Sequence, residues 1–432
     1  MTTTRASRLR SVLRACARAT GLVACLAWAA PAAAAVWTVT GRWDEAAERR
    51  YADWVERRFD ERFFYDGSPF GDIATDCADA AYGMRMAFAY EHRLPFVIRD
   101  PASPGRLLSQ ATSRFDHVPG GLPRVRAFME WVMLHTGTAS LARDTYPVRI
   151  DREQIRPGVV FLTWGTHAMQ VVSLRPTGVI RYLESTAPRA IRPMRAHLGF
   201  PQQVPADPRA PDGGDGFRRF RWPEHHDRPD RLLPGWGDEQ FERARALGRE
   251  TLAFHDWVQS RLALEPEPPA QRARRTLFTL CELAYDRANA VDEAQWLRAE
   301  LRRTGRACLT AAESDEHSTP VRDALLARAF EHVDRLPERA DWPEAAGRYR
   351  RFVDLLTGHG GGDADAAAVR AEFLDWCDVG RLDGGPGRPM DLVELRALVR
   401  AGRLVADPQA SAAARWGLEA PDGRLPAACT RR

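Results

Sequence analysis

Apolar side chains recur every three or four positions through residues 43–64, at Trp43, Ala47, Tyr51, Trp54, Val55, Phe59 and Phe63, and predict one amphipathic helix. Tyr65-Asp66-Gly67-Ser68-Pro69 breaks the pattern. Thr75 and Asp76 are helix-capping residues, and a second helix runs from Cys77 to Tyr90, closed by Leu94-Pro95-Phe96. Residues 99–123, rich in Pro, Gly and Ser, read as a loop, and 124–136 as a helix. From 157 the period shortens to that of strands: 159–164, 167–174 and 179–184, with Arg175-Pro176-Thr177-Gly178 turning the last two into a hairpin. A loop over 201–215 leads to a closing strand over 217–222. Helix followed by a small antiparallel sheet is an α+β order.

Beyond 237 the pattern is helical to about 418. Residues 237–262 form one long candidate, and further helices begin near Ala270, Val291, Pro320, Asp365 and Asp391. Linkers at 264–269, 358–363 and 382–387 separate them, with no fixed repeat period. The expected organisation is a leader over 1–35, an α+β domain over 36–233 and an all-α C-terminal domain over 234–432.

The leader carries Arg5, Arg8, Arg10, Arg14 and Arg18 without an acid, then the apolar run 21–30 and an Ala33-x-Ala35 end. A basic start, a short apolar core and small residues at the cleavage point are the features of a secretory signal, with Val36 or a neighbour opening the mature chain. The apolar core is shorter than the span of a bilayer. Leu22-Val23-Ala24-Cys25 offers lipidation at Cys25 as a rival, ranked second because Arg18 shortens the apolar run before it. The expected location is periplasmic or secreted.

The leader changes the charge picture. The net charge is +4, and removing the five leader arginines from the 62 basic residues leaves 57 against 58 acids. A near-neutral mature chain gives no case for a nucleic-acid partner. Every basic residue is arginine, so lysine nucleophiles and Schiff-base chemistry are excluded.

Candidate chemistry starts at cysteine. After the leader, Cys77, Cys281, Cys308, Cys377 and Cys429 remain. An odd number in an exported chain points to a free thiol. The four C-terminal cysteines allow up to two bridges, and Cys77 stands alone in the N-terminal half. No spacing suits zinc, and no cofactor is expected. Asp76-Cys77-Ala78-Asp79 puts the thiol in the first turn of a helix, where unpaired N–H groups and the macrodipole favour thiolate and can hold an oxyanion. Of eleven histidines, His167 is the best-placed base, at the start of a rigid strand after a tight turn. Glu184, 17 residues on and across the hairpin, is the candidate carboxylate to orient it.

Each residue also has a plainer reading. Cys77 alone could be a buried structural cysteine, His167 a satisfied strand-end histidine, and Glu184 a solvated strand residue with Ser185 and Thr186 as substitutes. Asp76 reads first as a cap; Asp79 shapes the cleft or simply suits the dipole, and its charge opposes the thiolate. Tyr65 either lines the site or packs in the core, and Trp164 either walls a substrate cleft or fills a turn. His225-His226-Asp227 reads as a solvated turn rather than a metal site, since strand neighbours point to opposite faces.

Over roughly 60–222 the residues resemble the NlpC/P60 and CHAP superfamily of papain-like cysteine peptidases and amidases. The family's Asp-Cys-Ser-Gly helix start is similar to Asp76-Cys77-Ala78-Asp79, and its upstream aromatic-Gly loop to Phe64-Tyr65-Asp66-Gly67. Its Pro-Gly-Asp strand and the following Gly/Ser-His strand resemble Pro157-Gly158-Val159-Val160-Phe161 and Thr166-His167-Ala168-Met169. By motif the third position falls on Glu184, as in the CHAP branch. Ala78, Asp79 and Val159 depart from the family residues, and the gap of 90 residues from Cys77 to His167 requires an insertion over 95–150. The resemblance implies a papain-like domain that hydrolyses an amide in peptide or peptidoglycan-like substrate through a thioester. The departures leave a rival of another class, a non-catalytic papain-like envelope binding or scaffold protein. Covering the cleft, holding an envelope partner or locating the enzyme are the roles open to the helical domain.

Overall fold

A computed structural model describes residues 35–163, 167–186, 189–199, 204–205, 214–248, 250–306, 308–310, 313–314, 317–359, 363–381 and 385–420. The leader up to residue 34, Cys25 included, lies outside them, as do Trp164 and most of the loop over 201–215.

The chain is mixed α and β. Helix α1 (Glu45–Arg58) and α2 (Cys77–Glu91) come first, then a two-stranded ribbon of β1 (Val97–Arg99) and β2 (Leu107–Ser109). Helices α3 (Leu122–His135) and α4 (Thr138–Asp144) lead into β3 (Thr145–Pro147), β4 (Val160–Thr163), β5 (His167–Leu174), β6 (Ile180–Glu184), β7 (Arg195–Leu198) and β8 (Gly216–Phe220). These six form one antiparallel sheet in the order β3-β8-β4-β5-β6-β7.

Alternation along the strands gives the sheet two apolar faces. Val160, Leu162, Ala168, Val172 and Leu183 join the core built with α1, α2 and α3. Phe161, Val171, Ile180, Tyr182 and Phe217 join a second core. That core is closed by Ala244 of α5 (Glu239–Ala246) and by Phe254, Val258 and Leu262 of α6 (Thr251–Leu262). Helix α2 is buried continuously from Cys77 to Ala89, as expected of a helix apolar on all sides. Gly158 precedes β4 with φ 93°, and a Cβ there would stand 2.5 Å from the Tyr51 ring, so only glycine lets the sheet approach α1 this closely.

The remaining helices are α7 (Pro269–Thr304), α8 (Pro320–Asp334), α9 (Arg348–Thr357), α10 (Asp363–Trp376), α11 (Leu392–Arg400) and the short α12 (Ala412–Arg415). They enclose a separate core around Leu277, Phe330, Phe352, Phe373 and Leu395. A disulfide joins Cys281 of α7 to Cys377, 96 residues on; Cys308 is also disulfide-bonded, and Cys77 is a free thiol.

Several boundaries differ from the sequence reading. The first helix ends at Arg58, where the Phe59 N–H still bonds back to Val55, and Phe59, Phe63 and Phe64 enter the core from turns. The single helix expected over 237–262 is two, because Gly248 turns left-handed with φ 61° after α5. The helices expected from Ala270 and Val291 are one 36-residue helix, α7, with neither glycine nor proline inside its length after the first turn. The loop expected over 99–123 contains β2, and β1, β3 and β7 were not expected. His225 and His226 are buried in and beside a short 3-10 turn, not solvated: the His225 ring stacks on Trp222, and His226 Nε2 lies 3.0 Å from the Val97 carbonyl. Among the described residues no helix is long and apolar enough to cross a membrane.

Candidate functional site

Cys77 is the first residue of α2. Asp76 caps the helix: its Oδ1 accepts from the N–H of Ala78 (3.1 Å) and of Asp79 (3.2 Å). Asp79 Oδ2 accepts in return from the Asp76 N–H at 3.0 Å, completing a capping box. Among the described residues the Cys77 N–H meets no acceptor, which leaves it available at the positive end of the helix.

Four ties hold this corner against the sheet. Gln170 of β5 donates from Nε2 to the Cys77 carbonyl at 3.1 Å. Ser185 donates to the Thr75 carbonyl at 2.9 Å, with the two hydroxyls 2.9 Å apart. Thr75 and Ala190 exchange backbone bonds of 3.0 and 3.3 Å. Arg189 Nε donates to the Ala74 carbonyl at 3.0 Å and lies 3.2 Å from Asp79 Oδ2.

The same end of the sheet supplies an imidazole. His167 opens β5 opposite Thr163, and its ring donates from Nε2 to Glu184 Oε2 at the end of β6. Nδ1 takes no part in that bond, and the Cys77 side chain lies near enough to act on the ring's proton affinity. Burial pushes the His167 ring toward its neutral form. The Glu184 charge, the neighbouring Cys77 side chain and the bond with Glu184 outweigh that and hold its proton affinity well above the ordinary imidazole value. Burial acts upward on Glu184, but His167 and a second histidine, His197, hold it well below the usual carboxylate range. The site is recessed, not sealed: Cys77 is 9% exposed and the His167 side chain 24%.

Cys77, His167 and Glu184 are therefore brought together from α2, β5 and β6. Asp76 and Asp79 flank the thiol as caps. Burial, and then the charge of Asp76, pushes the Asp79 carboxyl up to about 7, against the Asp76 N–H bond and Arg189. Tyr65 makes no hydrogen bond to the three among the described residues; its ring packs under the Arg62 guanidinium, 5.2 Å away. The sequence reading passed over Gln170, Arg189 and His197. His197 could have been found as a histidine one short loop beyond the expected hairpin. Among the described residues no group of three or more His, Cys, Asp and Glu side chains is arranged to hold a metal.

The chemistry open to this arrangement is nucleophilic attack by sulfur with an imidazole moving the proton and a carboxylate steadying the imidazolium. Compared with known proteins, the chain matches no family model, no curated protein and no solved structure.

Proposed function

We propose that the chain is an exported thiol hydrolase of papain-like design that cleaves an amide bond through a thioester on Cys77. The observation that carries this reading is the Cys77 thiol at a helix start, beside an imidazole whose Nε2 is held by a carboxylate. In the proposed reaction Cys77 Sγ bonds to the carbonyl carbon and its proton passes to His167. The Cys77 N–H supports the oxyanion. The C–N bond then breaks and the amine leaves with the His167 proton. Water attacks the thioester, gives one proton to His167, and the sulfur departs and recovers it. Glu184 keeps its charge throughout and orients the ring. A cell-wall peptide as substrate rests on the NlpC/P60 resemblance, and export on the leader.

The low exposure of Cys77 favours the second reading, a non-catalytic papain-like envelope protein. Alkylation of the purified mature chain at about pH 6–7, followed peptide by peptide, separates the two. A nucleophile reacts well ahead of a free-thiol peptide, and Cys77→Ala abolishes hydrolysis of peptidoglycan fragments. Alkylation no faster than the peptide, with Cys77→Ala lacking any phenotype, overturns the hydrolase reading.

A further inference from the structure

We propose that His197 is a positioning residue for the Cys77–His167–Glu184 site, a second imidazole that holds the carboxylate from behind and keeps the thiol–imidazole pair charge-balanced. The inference rests on the hydrolase reading above. His197 lies on β7, the edge strand beyond β6, paired with Tyr182. Its Nε2 donates to Glu184 Oε1 at 2.7 Å, while His167 donates to Oε2. Each carboxylate oxygen thus has its own imidazole, and rotation of the carboxylate would break one bond or the other. A single histidine would leave Oε1 free and the carboxylate plane unfixed.

The second consequence is electrostatic. Burial acts against charge on His197, but the Glu184 charge and hydrogen bond, with Glu282 behind them, hold its proton affinity up to about 10. His197 is therefore a cation across the neutral range and cancels Glu184. A thiolate on Cys77 and a proton on His167 then form a pair with no net charge left over. The groups facing His197 from neighbouring elements preserve that balance. Glu282 Oε2 of α7 lies 3.7 Å from His197 Nδ1, an ion-pair distance too long for a hydrogen bond. Asp286, one turn along α7, is paired with Arg195 of β7 and with Arg322 of α8, the latter at 3.0 Å. Both arginines sit on Asp286 and neither on Glu282, but the four charges sum to zero, which leaves His197 as the cation that offsets Glu184.

Removing the His197 charge makes both a protonated His167 easier to keep and a Cys77 thiolate harder to form. Both limbs of the pH–rate profile then move to higher pH. Removing the Glu282 charge does the reverse.

The test is iodoacetamide alkylation of Cys77 against pH, resolved by peptide mass spectrometry on the full mature chain, for wild type, His197→Ala, His197→Gln and Glu282→Gln. Expected are a roughly tenfold slower reaction near about pH 6.5 for His197→Ala, a smaller loss for His197→Gln, which keeps a donor, and a shift to lower pH for Glu282→Gln. A purely structural role lowers the rate equally at all pH without moving the profile, and that result overturns the inference. Glu282→Gln changes a part-exposed helix residue, so it tests the charge argument even where His197→Ala fails to fold; an unmoved profile there also counts against it. A wild type that reacts no faster than a free-thiol peptide sinks the hydrolase reading itself, whereas a fast wild type with superimposable variants sinks this inference alone.

Discussion

Asp79 shows how much one buried carboxyl can set. It closes the capping box in front of the thiol and is fully buried, with its carboxyl pushed up to about 7. Between the unfolded value of 3.8 and about 7 the folded chain holds a proton that the unfolded chain has lost. The stability this group contributes is therefore complete below 3.8 and declines as pH rises toward 7. Asp79→Asn cannot ionise, so the variant gains on wild type by roughly 1–3 kcal/mol between acid and mildly alkaline pH. Urea unfolding at a series of pH values checks this, and a constant difference would refute it. At this scale the sequence was readable where a residue's role is local. Cys77 at a capped helix start and His167 at a strand start follow from short-range pattern. His197, Gln170 and Arg189 do not, because their partners are Glu184, the Cys77 carbonyl and the Ala74 carbonyl, set by tertiary approach.

Between elements, α1 and α2 are joined by an ion pair taken wholly out of water. Arg85 of α2 donates to both oxygens of Glu48 of α1 at 3.0 Å, and Trp222 donates to Glu48 from its ring nitrogen at 3.0 Å. The Arg85 guanidinium lies 3.4 Å from the Trp43 ring centre. Burial acts to raise the Glu48 carboxyl, and Arg85 leads the charges that hold it below its usual value. Breaking such a pair strands a charge, so Glu48→Gln is expected to cost about 3–5 kcal/mol, while Glu48→Leu with Arg85→Met costs far less. Thermal or denaturant melts of the three variants measure it, and near-equal losses in single and double variants would contradict it. The elements seen in the sequence were those with long, regular burial: α2, α3, β5 and β6. Those missed have few residues to show a period. β3 is Thr-Tyr-Pro on one sheet edge, where proline loses no ladder bond facing outward, and β7 is half-buried along its whole length on the other.

Across the whole molecule the Cys281–Cys377 disulfide closes a covalent loop of 96 residues, from α7 to the residue after α10. Removing it by Cys281→Ser with Cys377→Ser is expected to lower stability by about 2–5 kcal/mol, chiefly by enlarging the unfolded ensemble. Melting with and without reductant tests this; an unmoved midpoint would exclude it. Mixed α and β organisation with a small antiparallel sheet was legible from the change of period at 157. The closing of the sheet's second face by α5 and α6 was not, since a helix pattern does not say which sheet it will cover.

Cys281 and Glu282 are consecutive on α7, and consecutive helical residues point about 100° apart. One therefore rivets the helix to its own bundle while the other looks out toward β7. The covalent cross-link fixes the axial height and rotation at which a carboxylate is presented to the sheet edge. The Cys281–Cys377 bridge is thus coupled, through one helix, to the place where Glu282 meets His197.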